Sequence, residues 1–142
     1  MTSNKRRAER ISVELPVTVY LFDNKKKDRQ GDAVAGRIKN FSPMGAALNV
    51  AAILLNGRHL FYACQDNPEI VLELIFDMSS EGETVNVLAN PVWFDRDLGS
   101  EKKLFILGLE FLTNPKSPEI KTLCKEVCRD EKMLISLWKK LF

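Results

Sequence analysis

The chain contains a single histidine, His59, among its 142 residues. A Ser-His-Asp or Cys-His catalytic relay would have to use this residue, and nothing around it marks a nucleophile. No G-x-S-x-G, Walker or G-x-G-x-x-G sequence is present to suggest another kind of catalytic or nucleotide-hydrolysing site. We therefore expect a protein that is not an enzyme, in which His59 has a structural role.

Cysteine is also scarce, and its three copies are an odd number that argues against a disulfide framework. Cys124 and Cys128 lie four residues apart, which is at most half of a zinc site, because structural zinc takes four ligands. Small buried cysteines are common in protein cores. The sequence predicts core packing for this pair, with no metal and no cofactor.

Long apolar runs are missing as well. No stretch approaches the ~20 residues of a membrane-spanning helix, and the polar N-terminus has no apolar segment of a signal peptide. Unpaired cysteines are typical of a reducing compartment. These features predict a cytoplasmic protein without a membrane partner.

What the chain does have is an uneven distribution of positive charge. Residues 1–10 hold four Lys/Arg and one Glu, whereas residues 11–142 hold 17 Lys/Arg and 18 Asp/Glu. The net charge of +2 therefore lies on the N-terminal arm, and the remainder is close to neutral. Nucleic-acid binders usually carry a basic face, so we expect no nucleic-acid partner. By itself, the basic arm is typical of a solvated tail.

Alternating apolar residues predict about six strands separated by polar loops. The predicted strands cover residues 11–22, 33–39, 46–50, 69–78, 84–94 (with an interruption at Asn90-Pro91) and 104–112. Pro16 indicates an edge or a bulge in the first strand, and residues 51–67 are predicted to form a loop or a short helical excursion. Near the C-terminus the period changes to that of an amphipathic helix, with Ser117 as its N-cap. The order of elements favours an antiparallel barrel or sandwich followed by one helix.

Two polar motifs could bind a ligand. The arm contains R-x-x-x-R with Arg6 and Arg10, and arginine can grip a phosphate with two hydrogen bonds or bind a guanine edge. The second motif, N-x-S-x-x-G, consists of Asn40, Ser42 and Gly45 at a strand junction. It can be a simple turn, or it can present short polar groups beside a backbone that a flat ligand approaches closely.

Taken together, the two motifs resemble the PilZ domain family. "NPVWF" is similar to a later strand of that family, and "ILGLEF" matches its G-x-x-F strand through Gly108 and Phe111. The resemblance implies a mainly β fold, a six-stranded antiparallel β-barrel with a C-terminal α-helix, that binds the bacterial second messenger cyclic di-GMP. Asn90-Pro91 departs from the family, which often has a glycine there.

The resemblance also implies a domain organisation: a flexible basic arm (1–10), a barrel (11–113) and a C-terminal helix (116–142). The residues it assigns to cyclic di-GMP are Arg6, Arg10, Asn40, Ser42 and Gly45, with Arg7 and Lys5 as additional contacts outside the strict motif. Ordering of the arm on binding would change contacts with an effector protein that the sequence does not name.

One alternative stays open at this point. The protein could be a PilZ-like interaction adaptor that binds nucleotide weakly or not at all. The apolar end of the chain, "LISLWKKLF", supports this alternative, because it can either pack on the barrel or form a homodimer or partner surface.

Overall fold

The computed structural model describes residues 11–78, 83–98 and 104–127. Within these ranges the elements, in chain order, are β1 (Ile11–Asp23), β2 (Asp28–Arg29), β3 (Val34–Ser42), β4 (Gly45–Val50), β5 (Leu54–Leu55), β6 (Arg58–His59), α1 (Tyr62–Asp66), β7 (Ile70–Met78), β8 (Glu83–Arg96), β9 (Phe105–Phe111) and α2 (Pro118–Val127). The mainly β fold with a helix after the last strand agrees with the sequence prediction.

Six long strands form a closed antiparallel barrel. Their order is β1-β3-β4-β9-β8-β7, and pairing between β1 and β7 closes the ring. The short strand β2 pairs with the end of β1, so the charged segment between them is a hairpin loop. The six-stranded antiparallel barrel is thereby confirmed.

Strand β1 follows the alternation of its sequence, because Val17, Val19 and Leu21 are buried in the core. Its register shifts between Ser12 and Leu15, and it pairs with β7 only from Thr18 onward. Pro16 lies in the part of β1 that pairs with β3 alone, which is the setting that a residue without an N–H tolerates. The first half of β1 consequently diverges from β7.

Segment 51–67 closes one end of the barrel. It combines a two-stranded hairpin (β5 and β6) with the single-turn helix α1, so both parts of the predicted loop or helical excursion are present. Leu60 and Cys64 point into the core and are almost fully buried. The apolar pattern of this segment was too short and irregular to reveal that it seals the core.

Strand β8 corrects one detail of the sequence analysis. An interruption was expected at Asn90-Pro91, but the strand continues from Glu83 to Arg96. Its register against β9 shifts between Pro91 and Trp93 instead, which accommodates the proline as a bulge. The bulge leaves both Val92 and Trp93 about half exposed.

Helix α2 begins where its cap predicts. The hydroxyl of Ser117 accepts a hydrogen bond from the Ile120 N–H at 3.3 Å, and Ile120, Leu123 and Cys124 are buried on one face. Neither α1 nor α2, the helices of the described ranges, has the length and apolar character needed to cross a membrane. The rest of the predicted helix and its homodimer surface lie outside the described residues.

Candidate functional site

The N-x-S-x-x-G motif forms the hairpin between β3 and β4. Ser42 pairs with Gly45 across a two-residue turn, and the Ser42 hydroxyl accepts a hydrogen bond from the Met44 N–H at 3.2 Å. The same hydroxyl donates a long hydrogen bond to the Gly45 carbonyl at 3.4 Å. Ser42 is only 2% exposed, and both hydrogen bonds of its hydroxyl stabilise the turn.

Gly45 is required by a close approach of the neighbouring strand. Its backbone is paired with Glu110, and a Cβ at this position would overlap the carbonyl oxygen of Leu109. The Met44 carbonyl also accepts a hydrogen bond from the Phe111 N–H at 2.9 Å, which fixes the turn to β9. The structure thus gives this glycine a packing role, and the contact with a ligand stays a prediction.

Phe41 anchors the motif from inside the barrel. Its ring is fully buried and lies 5.7 Å from the ring of Phe111. Since successive side chains of a strand alternate between faces, Asn40 and Ser42 belong to the outer face. The register of β3 against β4 shifts between Ile38 and Asn40. This bulge brings two consecutive residues of β3 to the outer face.

The start of β1 lies directly beside this motif. Ile11 is paired with Phe41, and Ser12 is paired with Asn40. The backbone therefore passes from the arm into the barrel next to the second motif, although the two are about thirty residues apart in sequence. The four arm residues named as ligand contacts lie outside the described residues: Lys5, Arg6, Arg7 and Arg10.

A row of small residues leads from Asn40 to an exposed tryptophan. Cross-strand partners follow one another as Asn40–Ala47, Ala47–Gly108 and Gly108–Trp93. The indole of Trp93 covers Gly108 so closely that a Cβ there would overlap the ring, yet Trp93 is 46% exposed. We call this row of four residues the outer row; it offers a flat surface with one aromatic face.

Trp93 was not predicted as a site residue. "NPVWF" and Gly108 were interpreted only as signs of strands. A large aromatic residue and a glycine in neighbouring predicted strands were the available signal, but the register that brings them together depends on the bulge after Pro91. Residue spacing alone cannot show that register.

His59 and the described cysteines have structural surroundings. The Nδ1 of His59 accepts hydrogen bonds from the N–H groups of Phe61 and Tyr62 at 3.1 and 3.3 Å, and its burial lowers the pKa of the imidazole. Burial raises the pKa of the Cys64 thiol to about 12, so it stays protonated and unreactive at neutral pH. Among the described residues, no group of three His, Cys, Asp or Glu side chains could hold a metal ion.

Comparisons with known proteins agree with this architecture. The profile of the PilZ domain matches residues 4–126. A solved structure, the PilZ domain with c-di-GMP of YcgR from Escherichia coli, is similar over 96% of this chain and 93% of its own, with 14% sequence identity and a TM-score of 0.54. No curated protein sequence matches the chain significantly. The family match covers both polar motifs and all the barrel strands, and the chain therefore belongs to the PilZ domain family.

Proposed function

We propose that this protein is a cyclic di-GMP receptor. The dinucleotide binds between the N-terminal arm and the outer face of the barrel at the N-x-S-x-x-G hairpin. Arg6 and Arg10 grip it from one side, with Arg7 and Lys5 as additional contacts, and Asn40, Ser42 and Gly45 contact it from the other. The protein is a binding module and not an enzyme.

One observation carries this proposal: the pairing of Ser12 with Asn40 and of Ile11 with Phe41. Arg10 is bonded directly to Ile11, the residue that pairs with Phe41. Arg6 is five residues from Ile11, and an extended segment of that length spans up to about 17 Å. Both arginines can therefore reach a ligand that rests on Asn40.

The chemistry of the two sides is complementary to a cyclic dinucleotide of guanine. Its two phosphates suit the planar donor forks of arginine, which also bind or stack on a guanine base. The amide of Asn40 can both donate and accept hydrogen bonds at a guanine edge. The outer row adds a flat surface on which a purine can lie, and stacking on an aromatic ring is worth about 1–3 kcal/mol per base.

Binding would also supply a signal. Four positive charges among residues 1–10 repel one another in the absence of an anion, and a bound phosphate removes that repulsion. The ligand then fixes the arm against the barrel and creates a new surface for an effector protein.

A second function is favoured by one specific observation. Ser42 and Gly45 are buried and already engaged within the hairpin and against β9, so the motif has a complete structural role without a ligand. In that case the protein would be an interaction adaptor with weak or no nucleotide binding.

Titration calorimetry with cyclic di-GMP separates the two functions. We expect micromolar or tighter binding, and a cost of about 1.5–3 kcal/mol for Arg6→Ala or Arg10→Ala, the range for hydrogen bonds to charged groups. Arg58→Ala, on the β5–β6 hairpin, removes the same side chain outside the site and serves as the matched control. Absence of binding by the intact chain would favour the adaptor.

A further inference from the structure

A second polar feature of the outer face is not used by the two motifs. It is a groove of about 670 Å³ where β1 diverges from β7, between β1, β3, β4 and the end of β7. We call it the β1–β7 groove. Its polar lining residues are Glu14, Thr18, Arg37, Lys39, Asn49 and Asp77, and Pro16 also lines it.

The groove follows from the register of the barrel. Pro16 pairs with Arg37, and Arg37 pairs with Asn49, so these residues form a row across β1, β3 and β4. The ladder between β1 and β7 ends at Thr18–Ile75, so Asp77 stands across an open space from Pro16. Asn49 lies two residues beyond Ala47 along β4, about 6.6 Å from the outer row.

Asn49 carries an unused hydrogen-bond acceptor. The side chain is only 4% exposed, its amide N–H donates to the Asp97 carboxylate at 2.5 Å, and its Oδ1 has no partner among the described residues. A buried acceptor without a donor is energetically unfavourable, so native proteins seldom leave one without a reason. Oδ1 is enclosed by protein atoms, so an N–H donor brought in by a ligand can pair with it only after the Asn49 side chain turns toward the groove.

Two cations line this part of the groove, and they differ in whether they form an ion pair. Lys39 is paired with Glu14, and this contact holds the pKa of the Glu14 carboxyl below its usual range. Arg37 is exposed and forms no ion pair with a described residue. The groove thus presents a planar donor fork next to a buried acceptor.

This pattern matches one nucleobase better than the others. Guanine has acceptors at O6 and N7, which suit an arginine fork, and donors at N1 and N2, which suit a carbonyl oxygen. Adenine carries an N–H donor where guanine has O6, so a donor would face the donors of Arg37. It also carries an acceptor at N1, which would face the carbonyl oxygen of Asn49. Cytosine and uracil lack the paired N7 and O6 acceptors.

We propose that the β1–β7 groove is a guanine-specific subsite, in which Arg37 donates to the O6/N7 edge and Asn49 Oδ1 accepts from the N1–H or N2–H group. The proposal rests on the proposed function, because the guanine belongs to the dinucleotide that the arm and Asn40 hold. The subsite makes the protein select cyclic di-GMP over its adenine counterpart.

The test is calorimetry with cyclic di-GMP and cyclic di-AMP on the full chain, comparing the unmodified protein with Arg37→Gln, Asn49→Leu and the control Arg58→Gln. We expect each groove variant to bind cyclic di-GMP about tenfold more weakly, with a smaller change for cyclic di-AMP, and the control to match the unmodified protein. Arg37 is exposed, so Arg37→Gln keeps the test decisive if Asn49→Leu fails to fold.

The two proposals fail in different ways. If the folded groove variants bind cyclic di-GMP as tightly as the unmodified protein does, the subsite alone is overturned. This is the result expected if a water molecule satisfies Asn49. Equal losses for both dinucleotides also overturn it, because Arg37 would then contribute charge without base selection. If the unmodified protein binds neither dinucleotide, the proposed function falls, and the subsite falls with it.

Discussion

At the scale of single residues, Gly108 controls whether the indole of Trp93 can lie flat on the outer row. Gly108→Ala places a methyl group where the indole now lies, and the half-exposed ring must rotate toward solvent. Loss of the stacking surface should weaken binding of cyclic di-GMP about tenfold, within the range for one stacked base. The measurement is calorimetry together with tryptophan fluorescence.

A glycine elsewhere provides the control for this substitution. Gly57 has a φ of +79° and open space around it, and asparagine tolerates that backbone conformation. Gly57→Asn should therefore leave the affinity unchanged. Unchanged affinity in Gly108→Ala as well would show that Trp93 does not contact the ligand.

The pH dependence of stability is a second prediction at the residue scale. Neutral His59 accepts two backbone hydrogen bonds at Nδ1, and burial lowers the pKa of its imidazole below the ordinary 6.5. The unfolded chain then binds a proton that the folded chain does not, so acidification through about pH 6.5 lowers the free energy of unfolding. The loss levels off below the pKa of the folded state.

Urea denaturation between about pH 5 and 8 measures this effect. Comparison with His59→Gln isolates it, since His59 is the only histidine and the variant lacks the titrating group. The unmodified protein should lose more stability than the variant on acidification. A relative gain of stability at low pH would contradict the account.

At the scale of elements, two ion pairs on the barrel should contribute differently to stability. Arg29 donates to Glu73 at 2.7 Å and lies over the Tyr20 ring, and the second carboxylate oxygen of Glu73 accepts from Asn86. Glu73 is 7% exposed, so Arg29→Met leaves a buried carboxylate oxygen unpaired. We expect a loss of about 1–3 kcal/mol in the free energy of unfolding.

The exposed pair between Lys39 and Glu14 is the matched control. Both of its side chains are exposed, and exposed ion pairs contribute little because water and salt screen them. Lys39→Met should leave the denaturation midpoint almost unchanged. Equal losses in the two variants would show that burial of Glu73 does not govern the difference.

The elements also show which features of the structure can be predicted from the sequence. Strand β1 and the start of α2 were predictable, because alternation and the Ser117 cap act over a few residues. The closure of the barrel by segment 51–67 and the bulge after Pro91 were not predictable, because both depend on contacts with distant strands. Asn40 was identified through its motif, whereas Asn49 has no local signal, and its burial comes from surroundings that no short window of sequence contains.

At the scale of the whole molecule, the arm and barrel should act as one binding unit. Binding should slow amide hydrogen exchange in residues 1–10, because the ligand fixes the arm against the β3–β4 hairpin. The barrel strands should change little, since their hydrogen bonds are already formed. Mass spectrometry of exchanged peptides measures both regions, and slowing confined to the barrel would contradict the ordering of the arm.

Calorimetric titration of the full chain with cyclic di-GMP tests the central claim most directly. The account predicts saturable binding with micromolar or tighter affinity, and a severe loss of binding when Arg6 and Arg10 are both replaced by alanine. Absence of heat from the intact, folded protein would contradict it, and so would binding that the double substitution leaves unchanged.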